Sequence, residues 1–160
     1  MGKTTVVKKV AEGIRDRAGG FYTEEIREKG KRKGFLIRTL RGECGILSHV
    51  NHHGPFRVGR YGVDVDRFEE IVAFCLESAV EKDEVIIIDE IGKMELFSHR
   101  FRQLVEKMLA SDKIVLAVIH QRNDSFTRRI KLLPNIREWT VTEKNRDDLP
   151  SHILKRMNLG

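Results

Sequence analysis

Apolar residues in the first third of the chain follow two different spacings. Residues 4–17 carry them at helical intervals and are followed by Gly19 and Gly20, so we predict a helix that ends before this glycine pair. Short apolar runs then begin at 21–23, 34–40 and 45–47, with glycine-containing turns at 29–31 and 41–43. This spacing predicts short strands that form a small antiparallel meander.

The rest of the chain alternates between predicted helices and strands. Two runs rich in β-branched residues, 85–88 and 114–119, are typical of strands buried on both faces, and a last strand is predicted at 139–141. Helices are predicted from a cap at Asp64 or Asp66 to about residue 81, from a cap at Ser98 to about residue 110, at 126–133 and at 151–157. The alternation indicates an α/β fold with a mostly parallel sheet, and the absence of a repeat or linker indicates a single domain over residues 1–160.

Composition limits the class of protein. The chain has 160 residues, and no apolar run approaches the roughly 20 residues of a membrane span. Its first residues also lack the apolar core of a signal peptide. We therefore expect a cytoplasmic protein without membrane contacts, and we expect it to be a monomer. The charged fraction of 34% with only two glutamines is typical of thermophile proteins.

Positive charge is concentrated in one part of the chain. The net charge is +6, and seven lysines and arginines lie between residues 27 and 41. This excess favours a polyanionic partner, which is either a nucleotide or a nucleic acid. Because Phe35 is the only aromatic residue within the basic stretch, base stacking has little support there, and we favour a solvated hairpin that steers phosphates over a nucleic-acid surface.

The sequence Gly2-Lys3-Thr4-Thr5 leads directly into the first predicted helix. In a P-loop, backbone N–H groups surround the phosphates, a lysine reaches the β and γ phosphates, and a Thr hydroxyl binds Mg²⁺. The positive end of the following helix also favours an anion. The tetrapeptide therefore predicts a phosphate site, although the full motif also requires a glycine five residues before Gly2.

A second signal lies at the end of the first buried strand, where Asp89 and Glu90 follow an apolar run. The carboxyl edge of a parallel sheet is where ligands of such sheets bind. A carboxylate there can hold Mg²⁺, usually through water, opposite the P-loop hydroxyl, and the adjacent Glu can activate a water. The alternative is a buried strand followed by a solvated acidic turn, but the two signals together favour a P-loop nucleotide site.

Five segments resemble one family in the same order along nearly the whole chain. They are GKTT at 2–5, GFYTEEIR at 20–27, VGRYGV at 58–63, IIIDEIGKMEL at 86–96 and TEKNRD at 142–147. The chain is similar to the small nucleoside-triphosphatases of thermophiles, whose human relative is called the cancer-related nucleoside-triphosphatase. The segment at 86–96 is the most specific of the five.

The resemblance implies a fold and an activity. The fold would be a three-layer α/β/α P-loop domain, RecA-like in having a catalytic Glu after the Walker B Asp, with a small antiparallel meander. The activity would be hydrolysis of ATP, GTP and other nucleoside triphosphates to diphosphate and phosphate with Mg²⁺. Members begin with an apolar strand and a longer glycine-rich loop, so we hypothesise that Met1 is an internal methionine and that about ten or more residues precede it.

The resemblance also implies roles by position. Gly2 would belong to the phosphate loop, Lys3 would contact the β and γ phosphates, Thr4 the metal and Thr5 the α phosphate. Asp89 would lie on the metal side and Glu90 would be the general base. Outside these motifs, His120 ends the second buried strand, where it would sense the γ phosphate or serve the structure alone.

Three arginines follow His120, and one of them would neutralise transition-state charge or simply cover a helix surface; Arg122 and Arg128 are the candidates we name. Lys93 and Glu95, just after the acidic pair, are expected to help shape the site. Two other functions stay open, a nucleoside or nucleotide kinase and a nucleic-acid-dependent ATPase. The position of Glu90 after Asp89 argues against a kinase, which must keep water out of its site.

Overall fold

The apolar run that ends in Asp89 and Glu90 forms a strand of a seven-stranded sheet in the computed structural model, which describes residues 2–121 and 124–159. The strands are β1 Ala18–Glu28, β2 Lys31–Thr39, β3 Cys44–His49, β4 Arg57–Val58, β5 Tyr61–Val63, β6 Val85–Ile91 and β7 Ile114–Ile119. Their order across the sheet is β4-β5-β3-β2-β1-β6-β7.

The prediction of a mostly parallel sheet is confirmed only in part, because the sheet is mixed. β1, β6 and β7 run parallel to one another, whereas β2, β3, β5 and β4 continue the sheet in antiparallel pairs. The reason is the length of the connections, since a parallel pair requires a long crossover but an antiparallel pair needs only a hairpin. Lys29 and Gly30, which join β1 to β2, both have positive φ as a two-residue hairpin requires. The predicted meander is thus confirmed, and it shares β1 with the parallel part.

Five α-helices in the described part of the chain cover the sheet. They are α1 Lys3–Ile14, α2 Val65–Lys82, α3 His99–Leu109, α4 Ser125–Lys131 and α5 Leu149–Met157. The predicted caps are confirmed at Asp64 and Ser98, whose side chains accept hydrogen bonds from the N–H groups of Arg67 and Phe101. None of the helices in these described ranges is long and apolar enough to cross a bilayer.

The apolar core consists of two layers, one on each face of the sheet. Alternate residues of β6 point to opposite faces, as a strand requires: Ile86 and Ile88 belong to the layer with α2, α3 and α4, while Val85 and Ile87 belong to the layer with α1 and α5. Helices therefore cover both faces of the sheet, in an α/β/α arrangement.

The predicted strand at 139–141 was wrong. Trp139 and Val141 line one apolar cavity of about 450 Å³ together with residues of β7. β7 is an edge strand of the sheet, and its neighbour there is β6. Across such a space the segment has no ladder partner within hydrogen-bonding distance, and residues 139–141 adopt no regular structure.

Candidate active site

The first turn of α1 presents unpaired backbone donors. Gly2 precedes the helix in the left-handed conformation, with φ of 84°, and no side chain caps the helix. A helix start leaves its first N–H groups without intrahelical acceptors, so those of Lys3, Thr4 and Thr5 are available to an anion. Lys3 and Thr4 are half-buried, whereas Thr5 is exposed.

The end of β6 lies next to this turn. Asp89 is buried, with 2% of its surface exposed, and Glu90 is half-buried. The pairing of β6 with β7 shifts register between Asp89 and Ile91. At such an irregularity, consecutive side chains need not point to opposite faces of the sheet. Asp89 and Glu90 both line the same cavity.

Thr4 and Asp89 bring the two elements together, since both line one cavity and the Thr4 hydroxyl lowers the pKa of the Asp89 carboxyl group. The second carboxyl oxygen of Asp89, Oδ2, is buried and has no hydrogen-bond partner. Burial above all, and then the charge of Glu90, raise the pKa of Asp89 to about 6, while Thr4, Lys3 and Lys8 act in the opposite direction. A buried oxygen without a partner is costly unless a ligand supplies one.

The cavity around these side chains has a volume of about 190 Å³. A cavity needs roughly 10–15 Å³ to hold one water, so this space admits a phosphoryl group together with an attacking water. Lys3 lines it on the α1 side. Its lining residues are Lys3, Thr4, Thr23, Glu24, Glu25, Phe35, Asp89, Glu90 and Val118.

Several lining residues were not expected from the sequence. Thr23, Glu24 and Glu25 lie on β1, and Phe35 lies opposite Glu25 on β2. Glu24 pairs with Lys8 at 3.3 Å and with Arg38 at 3.5 Å, so its charge is partly neutralised. Segment 20–27 had been noted for its family resemblance alone, and only the pairing of β1 with β6 brings its end to the site.

The residues at this site fit a Mg²⁺ ion. The unpaired Asp89 Oδ2 and the Thr4 hydroxyl are hard oxygen donors, which Mg²⁺ prefers. Within residues 2–121 and 124–159, no group of three or more His, Cys, Asp or Glu side chains is arranged to hold a metal. The protein would therefore supply few ligands, as is usual for Mg²⁺ that is also bound by substrate phosphates and water.

Two further predicted residues, His120 and Arg128, lie outside the lining of this cavity. The His120 Nε2 is 2.8 Å from Oδ2 of Asp124, which caps α4, and the backbone N–H of His120 donates to the carbonyl of Ile91. Arg128 is exposed on α4. Arg122 lies outside the described residues.

Lys93 and Glu95, expected to shape the site, differ in exposure. Lys93 is exposed, whereas Glu95 is buried beneath the end of β6. Near the start of α1, the side chains of Val141 and Arg146 approach Gly2, with the Arg146 Cδ 3.6 Å from the point where a Gly2 Cβ would lie. This contact puts Arg146, within segment 142–147, beside the first turn of α1.

The basic stretch at 27–41 forms the β1–β2 hairpin and the turn after it, so the predicted hairpin is confirmed. Several of its charges are engaged within the chain. Arg27 pairs with Glu25 at 2.8 Å, and Arg41 pairs with the buried Asp83 at 3.0 Å.

Comparison with known proteins gives consistent matches over nearly the whole chain. A model of a family described as NTPase matches residues 1–154. The nucleoside-triphosphatase THEP1 of Thermotoga petrophila is 49% identical over 154 residues, which are 96% of this chain and 86% of that protein. The nucleoside-triphosphatase THEP1 of Methanosarcina acetivorans is 43% identical over 166 residues, covering 98% of this chain and 90% of that protein.

Two solved structures have the same fold. The crystal structure of THEP1 from the hyperthermophile Aquifex aeolicus matches with a TM-score of 0.92 and 40% identity, over 99% of this chain and 94% of that one. The solution structure of a human cancer-related nucleoside triphosphatase matches with a TM-score of 0.84 and 35% identity, over 99% of this chain and 92% of that one.

Proposed function

The chain belongs to the NTPase family, and we propose that it hydrolyses nucleoside 5′-triphosphates to nucleoside diphosphate and phosphate with Mg²⁺ as cofactor. The observation that carries this proposal is the cavity between the start of α1 and the end of β6, which Lys3, Thr4, Asp89 and Glu90 line together. This arrangement supports phosphate binding and water activation at the same place.

Phosphate binding is the task of the α1 turn. The N–H groups of the first turn donate to phosphate oxygens, and the helix dipole adds its positive potential. Lys3, which lines the cavity, contacts the β and γ phosphates. Thr5 lies on the exposed side of the same turn, where it contacts the α phosphate. The conformation of Gly2 lets the backbone approach the substrate closely.

Thr4 and Asp89 would hold the metal. A bound Mg²⁺ would supply positive charge that stabilises the negative charge developing on the phosphate oxygens. Asp89 would bind the ion through its unpaired Oδ2, directly or through a water, and Thr4 would contribute its hydroxyl oxygen. Such an ion would give the buried carboxylate the partner that it lacks and would favour its ionised form.

Glu90 acts on the water. Its carboxylate orients a water against the γ phosphorus and accepts a proton from it as the new P–O bond forms. The bond between the γ phosphorus and the β–γ bridging oxygen breaks, which leaves nucleoside diphosphate and phosphate. Proton transfer to a positioned group contributes about 10²–10⁴-fold to rate.

The test is a phosphate-release screen with ATP, GTP, CTP and UTP, run with Mg²⁺ and with a chelator and without any phosphoryl acceptor. We expect Mg²⁺-dependent phosphate release from more than one nucleotide. Formation of nucleoside diphosphate that requires an added nucleoside or nucleotide acceptor, with the phosphoryl group transferred to that acceptor and no phosphate released, would indicate a kinase. Release that requires added RNA or DNA and is lost steeply with salt would indicate a nucleic-acid-dependent ATPase.

A further inference from the structure

Glu95 carries a buried carboxyl group that the proposed chemistry does not use. It begins the short 3₁₀ turn Glu95–Phe97 that follows β6, and 3% of its surface is exposed. Its Oε1 accepts a hydrogen bond from the Gly92 N–H at 3.1 Å. Among residues 2–121 and 124–159, no Lys, Arg or His lies within ion-pair distance of it.

Gly92 lies between this carboxyl group and Glu90. A Cβ at Gly92 would be 2.7 Å from Oε1 of Glu90 and 2.8 Å from Oε1 of Glu95. The two oxygens are therefore at most about 5.5 Å apart, the sum of those two distances. One water or a small side-chain rotation bridges such a gap.

The surroundings of Glu95 favour its neutral form. Burial first, and the charge of Glu90 second, raise its pKa to about 8. β6, α2 and α3 pack against the turn. From β6 it is faced by Glu90 and Asp89, whereas Glu69 of α2 accepts a hydrogen bond from Ser98 and Arg102 of α3 donates to the Leu96 carbonyl. A carboxyl group in such a setting keeps its proton at neutral pH and has an O–H to donate.

We propose that Glu95 is a positioning residue for hydrolysis: its neutral carboxyl group donates a hydrogen bond to the Glu90 carboxylate, directly or through one water, and fixes the orientation of that base. This inference rests on the proposed role of Glu90. Oε1 of Glu95 still accepts from the Gly92 N–H, and the other carboxyl oxygen carries the donated proton, so the turn after β6 and the side chain of Glu90 are held together. Without the donor, Glu90 would be free to rotate away from the attacking water.

The test compares Glu95→Gln with Glu95→Leu. The amide keeps an uncharged donor and an acceptor for the Gly92 N–H, whereas leucine has neither. We expect kcat to fall about 10- to 100-fold in Glu95→Leu, as small misplacements of catalytic groups do, with KM for the nucleotide nearly unchanged. Glu95→Gln should restore most of this loss. Glu81→Gln, an exposed acid on α2, is the matched control and should behave as the unaltered chain.

A pH profile separates positioning from simple structural support. The unaltered chain should lose kcat as pH rises through about 8, because an ionised Glu95 cannot donate, whereas Glu95→Gln should lack this alkaline decline. An unchanged kcat in Glu95→Leu, or the same decline in Glu95→Gln, overturns the proposal.

One readout does not depend on turnover, so it distinguishes failure of this inference from failure of the proposed function. We expect the carboxyl titration of Glu95, followed by ¹³C NMR, to move to lower pH in Glu90→Gln, because the amide cannot repel the charge of Glu95 or accept as strong a hydrogen bond. A titration of Glu95 that is the same in both proteins shows that the two groups do not interact and overturns the inference. Absence of phosphate release in the unaltered chain concerns the proposed function alone.

Discussion

Replacement of Glu95 by glutamine should stabilise the folded protein at alkaline pH, because it removes the free-energy cost of ionising a buried carboxyl group. The ordinary pKa of this carboxyl group is 4.5, and in the folded protein it is about 8. A folded-state pKa above the unfolded one means that the folded state binds the proton more tightly. The group's contribution to stability is therefore complete below about pH 4.5 and is lost as pH rises to about 8.

The size of the effect follows from the two pKa values. Each pKa unit corresponds to about 1.4 kcal/mol, so the interval between 4.5 and 8 corresponds to about 5 kcal/mol at most. Entry of water around an ionised Glu95 lowers this figure, and we expect a difference of a few kcal/mol at pH 8. Asp89, whose pKa is also raised, is present in both proteins, so its contribution largely cancels in the comparison.

The assay is urea unfolding of the unaltered chain and Glu95→Gln between pH 5 and 8, with a chelator and without nucleotide. The free energy of unfolding of Glu95→Gln relative to the unaltered chain should rise with pH, by at most about 1.4 kcal/mol per pH unit. Glu81→Gln should give a difference that is independent of pH. A flat difference for Glu95→Gln would show that Glu95 is already ionised at pH 5, which refutes the reasoning.

Three further substitutions test other parts of the account. Asp89→Asn should raise the Mg²⁺ concentration needed for half-maximal phosphate release by about 10- to 100-fold, as loss of outer ligands does. Arg41→Ala should lower the free energy of unfolding by about 1–3 kcal/mol, because the buried Asp83 loses two hydrogen bonds, at 3.0 and 3.2 Å, measured by urea unfolding. Gly20→Ala should cost more than about 4 kcal/mol or prevent folding, measured by circular dichroism, because the added Cβ would lie 1.9 Å from the Ile87 carbonyl oxygen.

Each of these has a control in the same chain. Asp112→Asn, an exposed acid before β7, should leave the Mg²⁺ requirement unchanged. Arg100→Ala removes an exposed partner of Glu77 and should cost less than about 1 kcal/mol. Gly42→Ala changes a glycine with positive φ in open space and should cost only about 1–2 kcal/mol. Equal effects in a variant and its control contradict the corresponding assignment.

The parts of the fold that depend on local pattern were predictable. The apolar run of β6 and the helical spacing of α1 identified both elements of the site. Caps were predicted at Ser98 and at either Asp64 or Asp66, because a capping hydrogen bond reaches only three residues along the chain, and Ser98 and Asp64 form them. The mixed sheet was not predicted, since the partner of each strand is set by contacts between distant residues. The expected strand at 139–141 failed for the same reason, because its apolar residues say nothing about whether a ladder partner is within reach.

The residues of the site likewise fall into those that local motifs predict and those that depend on contacts between distant parts of the chain. Lys3, Thr4, Asp89 and Glu90 were expected from motifs at element ends, and all four line the cavity. Glu24 and the other lining residues of β1 and β2 were missed because only the hairpin register and the parallel pairing with β6 bring them there. Glu95 was expected to shape the site by its closeness in sequence, but its burial and its position behind Gly92 required the three-dimensional structure.

The most direct test of the account compares Mg²⁺-dependent phosphate release and nucleotide binding in the unaltered chain, Glu90→Gln and Glu81→Gln. If Glu90 activates the water in the cavity between α1 and β6, Glu90→Gln should reduce turnover by about 10²–10⁴-fold, with a nucleotide Kd close to that of the unaltered chain. Glu81→Gln should change neither quantity. Turnover in Glu90→Gln that equals that of the unaltered chain would contradict the assignment of this cavity as the place of hydrolysis.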